Sequence, residues 1–466
     1  MENQASKKVV LLIATLSSFF TPFNGSSMNV ALPSIGSELT MDAVLLAWLP
    51  TGYHLSAVIL LVPFGRIADM YGRRRVFLTG AFVYTFTSLA CALSTSAAML
   101  LTARIVQGIG ASMILGIGTA LVTSAFSPLE RGRALGVTVA ATYIGLSVGP
   151  FIGGILTYYF GWRSVFLSVI PVGILMISLT FWKLKEERAQ GDRGQFDFVG
   201  SAIYAVMVAT FIYGFTTLPG TMAILLMTIG VLALIVFIKW ESRTASPVLS
   251  LGLFRHNLAF AMANLAAMIN YAATFAVGFL LSLYMQYIMG LSPRDAGIVL
   301  VTQPIVMAVL SPVAGRLSDK FEPRIVSSVG MAFTAAGLFM YALLDENTTL
   351  QYITAALITC GFGFALFSSP NTNAVMSSVD KKSYGIASAV VQTMRLTGQM
   401  FSMGTTMLTF ALYLGRVPIT PDNYPMFVAS VKTIFTVFAA ISVVAVFASL
   451  VRGKRADAGE PESRPS

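Results

Sequence analysis

The feature that most constrains this chain is a series of apolar blocks, each about twenty residues long, that recurs along nearly its whole length. A helix rises about 1.5 Å per residue, so ~20 apolar residues cross the hydrocarbon core of a bilayer with every backbone group bonded internally. The blocks read 9–32, 44–64, 76–95, 98–125, 134–158, 164–183, 198–217, 221–239, 258–287, 295–314, 325–344, 349–371, 383–413 and 427–451, which makes fourteen spans. Charged residues are only 11% of the 466, against about a quarter in a water-soluble globule. The sequence therefore predicts an all-α integral membrane protein. Lys7 and Lys8 precede the first block with no small-residue cleavage site after it, so this block is expected to stay as a span. Cys91 and Cys360 lie in apolar segments and offer no disulfide framework.

The net charge of +10 could point to nucleic acid, but the basic residues sit in short loops between spans. Lys7, Lys8, Arg73 to Arg75, Arg131, Arg133, Lys183, Lys185, Arg188, Arg193, Lys239, Arg243, Arg255, Arg316, Lys320, Arg324, Lys381, Lys382 and the Arg452 to Arg455 tail fall on one side. The other side holds Arg163, Arg294 and Arg416 with acids such as Glu38, Asp42, Asp345 and Glu346. This asymmetry predicts both termini in the cytoplasm and a cell (plasma) membrane location, with the bilayer, not nucleic acid, as partner.

The chain also repeats itself. Gly65 to Arg74 follows the second span, and Gly315 to Arg324, with the similar run Gly-Arg-Leu-Ser-Asp, follows the tenth. Two six-helix halves are expected, 1–184 and 258–451, with two extra spans inside a 185–257 linker and a polar tail at 452–466 that is expected to be disordered. In the first copy, Gly65 allows a close helix approach, Asp69 can meet an Arg or a helix N-terminus across the interface between halves, and Gly72 makes the turn before Arg73 and Arg74.

Between Gly136 and Gly154, Gly145, Gly149 and Gly153 recur every four residues and line one stripe of a helix. Gly136 and Gly154 form a second strip on roughly the opposite face, and Pro150 predicts a bend. The spacing resembles the fifth-helix antiporter motif of exporters in the major facilitator superfamily, and the resemblance implies a seal against leak. Gly65-x-x-x-Asp69-x-x-Gly72-Arg73-Arg74 resembles that superfamily's cytoplasmic loop motif, a latch between halves. Arg104-x-x-Gln107-Gly108-x-Gly110 resembles its fourth-helix motif, whose arginine in relatives is tied to proton transfer. Asn24-Gly25-Ser26-Ser27-Met28-Asn29-Val30-Ala31-Leu32-Pro33 is similar to the D-x-T-x-x-N-V-A-L-P stretch of fourteen-helix drug:proton antiporters. Trp162-Arg163, Phe196-Asp197, Leu283-Tyr284-Met285-Gln286 and Arg395-Leu396-Thr397-Gly398-Gln399 fit the same subfamily, so the resemblance spans nearly the whole chain. Its departure is Asn24, which stands at the acidic position and cannot titrate.

All 20 Asp and Glu fall in loops, tails or span edges, whereas Arg104, Arg395 and Lys432 lie within spans. A cavity with buried positive charge and no carboxylate repels lipophilic cations and tolerates neutral or anionic amphipaths. His54 is the one residue in a span that ordinarily titrates near neutrality, and it could replace the missing acid; its alternative is a packed, hydrogen-bonded histidine. Arg104 is either a coupling residue or a structural arginine bonded to carbonyls. Asn24, Tyr53, Gln107, Asn264, Asn270, Gln303, Gln392, Arg395 and Gln399 are candidates for the substrate path; helix-to-helix bonding is the alternative for the amides. No P-loop, metal cluster or hydrolytic triad is present, so no cofactor or metal is expected and energy must come from a gradient or a partner. The expected function is export of small amphipathic compounds in exchange for protons. The alternatives are a facilitator or exchanger of an organic anion or neutral amphipath, and a membrane sensor or scaffold that does not transport.

Overall fold

A computed structural model describes residues 2–184, 197–244, 254, 257–379 and 384–450. The 185–196 linker, His256, Arg255, Lys381, Lys382 and the tail from 451 lie outside the described residues, as do the side chains of Arg131 and Arg133. The first half comprises α1 (Glu2–Glu38), α2 (Ala43–Tyr71), α3 (Arg73–Ala92), α4 (Ala97–Ala125), α5 (Pro128–Phe160) and α6 (Arg163–Lys183). Two helices follow, α7 (Phe198–Thr216) and α8 (Thr221–Glu241). The second half contains α9 (Leu258–Thr274), α10 (Val277–Tyr287), α11 (Pro293–Leu300), α12 (Thr302–Lys320), α13 (Pro323–Ala342), α14 (Leu350–Ser377), α15 (Tyr384–Tyr413) and α16 (Tyr424–Leu450).

Local sequence starts these helices in a consistent way. Asp42, Ser96, Asp197, Asn257, Ser292 and Thr349 each accept a hydrogen bond from a backbone N–H in the first turn that follows, which satisfies a donor the helix itself leaves free. Thirteen described segments are long and apolar enough to cross a membrane. α15 is the fourteenth long helix, 30 residues, and it carries Gln392, Arg395, Thr397 and Gln399 in its middle.

Two expected spans are broken. The block at 258–287 divides into α9 and α10, where the Ala276 N–H donates to Ser402 Oγ of α15 at 3.1 Å; a side chain inserted into the ladder interrupts it. The block at 295–314 divides into α11 and α12 at Val301, three residues before Pro304, which has no N–H to continue the ladder. By contrast α5 runs from Pro128 to Phe160 through Pro150 as one helix.

The helices pack tightly, and the largest apolar core joins both parts of the chain, Met28, Leu46 and Phe166 with Phe279, Tyr341 and Phe435. Where helices touch, small residues admit backbone: a Cβ on Gly110 would lie 2.7 Å from Tyr84 N, and one on Gly330 2.6 Å from Phe367 N. Large apolar side chains such as Phe82, Phe86, Leu225, Leu232, Val444 and Phe447 remain exposed on the outer surface, as a lipid-facing wall requires. A cavity of about 590 Å³ between α3 and α4, lined by Phe82, Phe86, Met99 and Val106 among others, opens on this wall.

The inserted pair sits at the seam between the halves. Tyr204 of α7 donates to Val58 O of α2 at 3.4 Å, while Phe211 and Phe215 pack edge-on to Phe401 of α15 at 6.0 and 5.7 Å. α8 packs on α7 and turns most of its surface outward.

Candidate functional site

Two arginine-centred clusters occupy the interior, at different levels. The first lies within the first half, toward the end that carries Glu38. Arg104 of α4 is 1% exposed. It donates through Nη1 to Gln107 Oε1 and through Nε to Leu49 O at 3.4 Å, and its guanidinium sits 4.4 Å from the Tyr53 ring centroid. Gln107 Nε2 donates to Ser88 Oγ at 2.7 Å, and Asn24 Nδ2 to Tyr84 Oη at 2.7 Å. Tyr53 and Tyr84 meet edge to face at 6.4 Å. The sequence candidates Asn24, Tyr53, Arg104 and Gln107 are thus brought together, but as a buried network among α1, α2, α3 and α4 and not as an open wall. A charge without a counterion is tolerable there because carbonyl oxygens and a ring face surround it. Tyr84 and Ser88 of α3 complete the network. Sequence reading passed over them because a hydroxyl in an apolar helix carries no spacing signal.

His54 stands at the rim of this network and touches both halves. Its ring lies edge-on to Tyr53 and to Phe275, each at 4.9 Å, and Phe275 belongs to the break between α9 and α10. Its Nδ1 is buried without a hydrogen-bond partner.

The second cluster lies in the other half, nearer the basic end. Arg395 of α15 donates through Nη2 to Thr372 Oγ1 at 2.8 Å and through Nη1 to Gln392 Oε1 at 3.3 Å, and its guanidinium is 5.5 Å from the Tyr271 ring centroid. Its Nε is buried with no partner, as are Asn371 Oδ1 and Gln399 Oε1. Ser368, one helical turn from Thr372 on α14, shares a hydrogen bond of 3.1 Å with Tyr143 of α5, so this cluster faces the first half. Gln392, Arg395 and Gln399 are grouped here. Asn264 and Asn270 are buried within α9's packing, with Asn264 Nδ2 donating to Phe260 O of its own helix at 2.9 Å. Gln303 lies at the start of α12, its carbonyl facing Gly361 of α14. Tyr143, Tyr271, Ser368 and Thr372 were not legible as candidates, since their meaning comes from three helices meeting.

The halves close on each other at the Glu38 end. Ser282 donates to Asn29 O at 2.7 Å and Gln286 to Val30 O at 2.9 Å, which ties α10 to α1. The glycine stripe of α5 serves two contacts. A Cβ on Gly145 would lie 2.5 Å from Phe19 O and one on Gly153 2.6 Å from Ser27 Cα, and Gly149 abuts Ser26, all on α1; Gly154 faces Pro293 O of α11 at 2.5 Å. Gly297 of α11 answers from the other side, against Pro150 O. Gly136 differs from this pattern: it is exposed, and an added Cβ would meet nothing within 4 Å.

At the opposite, basic end Arg73, Arg74 and Asp69 make contacts with residues of the first six helices. Arg73 donates through Nε and Nη2 to Asp69 Oδ1 at 3.0 and 2.9 Å and through Nη1 to Ala120 O at 3.3 Å. Arg74 donates to Thr180 O and Phe181 O at 3.3 and 2.7 Å. Gly65 has open space beside it, and Gly72 takes φ +106°, a turn conformation that suits glycine. Asp69 therefore pairs with a residue four positions on, not across the interface. Every Asp and Glu among the described residues lies at a helix end or in a loop, and no group of three or more His, Cys, Asp or Glu among them could hold a metal.

Similarities to known proteins bear on this arrangement. The chain is similar to the riboflavin transporter RibZ of Clostridioides difficile (strain 630), 31% identical over 86% of this chain and 87% of the relative. It is similar to the multidrug resistance protein Stp of Mycobacterium tuberculosis (strain CDC 1551 / Oshkosh), 29% identical over 87% of this chain and 76% of the relative. A crystal structure of a bacterial homolog of the human lysosomal transporter Spinster, in an inward-facing and unoccupied conformation, shares the fold with a TM-score of 0.71 at 16% identity, covering 96% of this chain and 97% of that one. The model of the Major Facilitator Superfamily matches residues 14–403 and 263–466. An all-helical fold of membrane-length spans, matched nearly end to end by that family's model, makes this chain a transport protein of the Major Facilitator Superfamily.

Proposed function

We propose that this protein exports small amphipathic compounds from the cytoplasm across the cell membrane, in exchange for protons, by alternating access. Both termini and the basic loops face the cytoplasm in this reading, which rests on the charge asymmetry of the loops. The observation that carries it is the close contact of the halves at the Glu38 end, Gly154 on Pro293 and Gly297 on Pro150, while at the basic end the Asp69 carboxylate pairs, among the described residues, with Arg73 of its own helix pair. This supports a reading in which the carrier loads its substrate from the cytoplasmic side. In the opposite state Asp69 and Arg73 latch the halves together at the basic end. Relatives named for multidrug resistance and for riboflavin transport support a small organic substrate.

Proton exchange needs a group that titrates, and in this reading His54, whose ring meets Tyr53 of one half and Phe275 of the other, is the candidate. The purified protein in proteoliposomes, with an imposed pH gradient and a pH dye, tests this. An added substrate should dissipate the gradient with wild type and not with His54→Ala. A second reading, a facilitator or exchanger without proton coupling, is favoured by one observation: Asn24 is an amide at a fully buried position, and among the described residues no carboxylate lies away from a helix end. Substrate movement with no proton flux would establish it and remove the antiport reading.

A further inference from the structure

We infer that Arg395 is the anion subsite of this transporter: it receives the negative or strongly electron-rich pole of a planar amphipathic substrate, whose ring lies against Tyr271. The inference rests on the transport reading above and names the substrate class that its site takes.

The two intramembrane arginines differ in what remains for a ligand. Arg104 is enclosed by Gln107 Oε1, Leu49 O and the Tyr53 face inside one half. Arg395 is half-buried, bonded only to the neutral oxygens of Thr372 and Gln392, with Nε free. The described ion pairs, Lys7–Glu130, Arg73–Asp69, Arg163–Glu38 and Arg324–Glu322, all lie at helix ends. Arg395 thus holds a full charge in a low-dielectric interior without a counterion, which attracts an anion from the open end and repels a cation. A planar fork with donors to spare matches a carboxylate or a ring carbonyl edge. Tyr271, edge-on to Phe364 at 5.4 Å, supplies the aromatic wall. The Tyr143–Ser368 hydrogen bond beside it links the site to the first half, so an occupant there contacts the element that must move.

Three probes with one pyrene ring and different heads separate charge from apolar fit: pyrenebutyrate, pyrenebutanol and a pyrenylbutyl trimethylammonium. Binding of each to the full chain in phosphatidylcholine nanodiscs is read by fluorescence, with empty discs subtracted. Wild type should prefer the butyrate over the ammonium by at least about tenfold. Arg395→Gln should weaken butyrate about 10- to 100-fold, the scale of a charge-assisted hydrogen bond, and change butanol less than about threefold. Arg395→Lys should lie between, because a point charge remains and the fork is lost; should the glutamine variant fail to fold, the lysine variant decides by the same comparison. Equal weakening of all three probes, no discrimination by wild type, or no binding by wild type overturns the subsite. Binding of butyrate through Arg395 without its movement in proteoliposomes leaves the subsite standing and removes the export reading.

Discussion

Arg104 and Arg395 show how one residue type acquires two roles from its surroundings. At Arg104 the guanidinium holds Gln107, a backbone carbonyl and an aromatic face together, so its loss leaves buried acceptors unpaired. Arg104→Gln is expected to destabilise by about 1–3 kcal/mol, read as a lower melting temperature of the purified protein, with no change in the relative binding of anionic and neutral probes. Asn24 is a second case. Its Nδ2 donates to Tyr84 while its Oδ1 is unsatisfied, and the subfamily it resembles carries an acid there. Asn24→Asp supplies a carboxylate that Tyr84 can bond, and it is expected to raise extrusion of a lipophilic cation such as ethidium from cells, measured as the initial efflux rate. The spacing of Arg104 and Gln107 was legible in the sequence as a motif. That their polar ends turn inward was not, because the rotation of α4 depends on what α2 and α3 present to it.

At the scale of elements, α5 determines which end is shut. Gly145, Gly149 and Gly153 abut α1 and Gly154 abuts α11, so a side chain at these positions costs overpacking of about 1–3 kcal/mol. Gly153→Val is expected to disturb the α1 to α5 packing of the first half itself. Gly154→Ala meets Pro293 O and Arg294 Cα of the other half at 2.5 and 3.2 Å, and it is expected to open the Glu38 end. With 1.4 kcal/mol equal to a tenfold population change, alkylation of a cysteine placed at Ala296 by an impermeant maleimide should speed up about tenfold in intact cells. A weaker tie joins α1 to the first turn of α5, where Lys7 donates to Glu130 at 2.7 Å. Lys7 and the Ser127 cap hold the Glu130 carboxyl below its usual range. A depressed folded-state value means the contribution is present above the ordinary carboxylate range and is lost as pH falls through the lowered one. The melting difference between wild type and Glu130→Gln should therefore be small at neutral pH, as an exposed pair allows, and vanish in acid.

For the whole molecule, the loop charges and the one-sided closure make separate predictions. Epitope tags at both termini are expected to be inaccessible to antibody in intact cells and accessible after permeabilisation; labelling of intact cells would reverse the orientation. Cys91 and Cys360 are buried and unpaired, so labelling studies can begin from the native chain with little background. The pair α7 and α8 bridges the seam between α2 and α15 through Tyr204, Phe211 and Phe215, which places it beside the helix that carries Arg395.

Span number, span limits and loop polarity follow from sequence alone, because the bilayer sets helix length and the cost of buried charge whatever the neighbours are. The glycine spacing at Gly145, Gly149, Gly153 and Gly154 likewise announced close backbone contact. Only the tertiary structure decided which helices make that contact, that Asp69 pairs with Arg73 in this state, that two spans break at Ala276 and Val301, and that Tyr143, Tyr271, Ser368 and Thr372 gather around Arg395. These depend on helix rotation and on residues more than 200 positions apart, such as Tyr143 and Ser368, which periodicity along one helix cannot bring together.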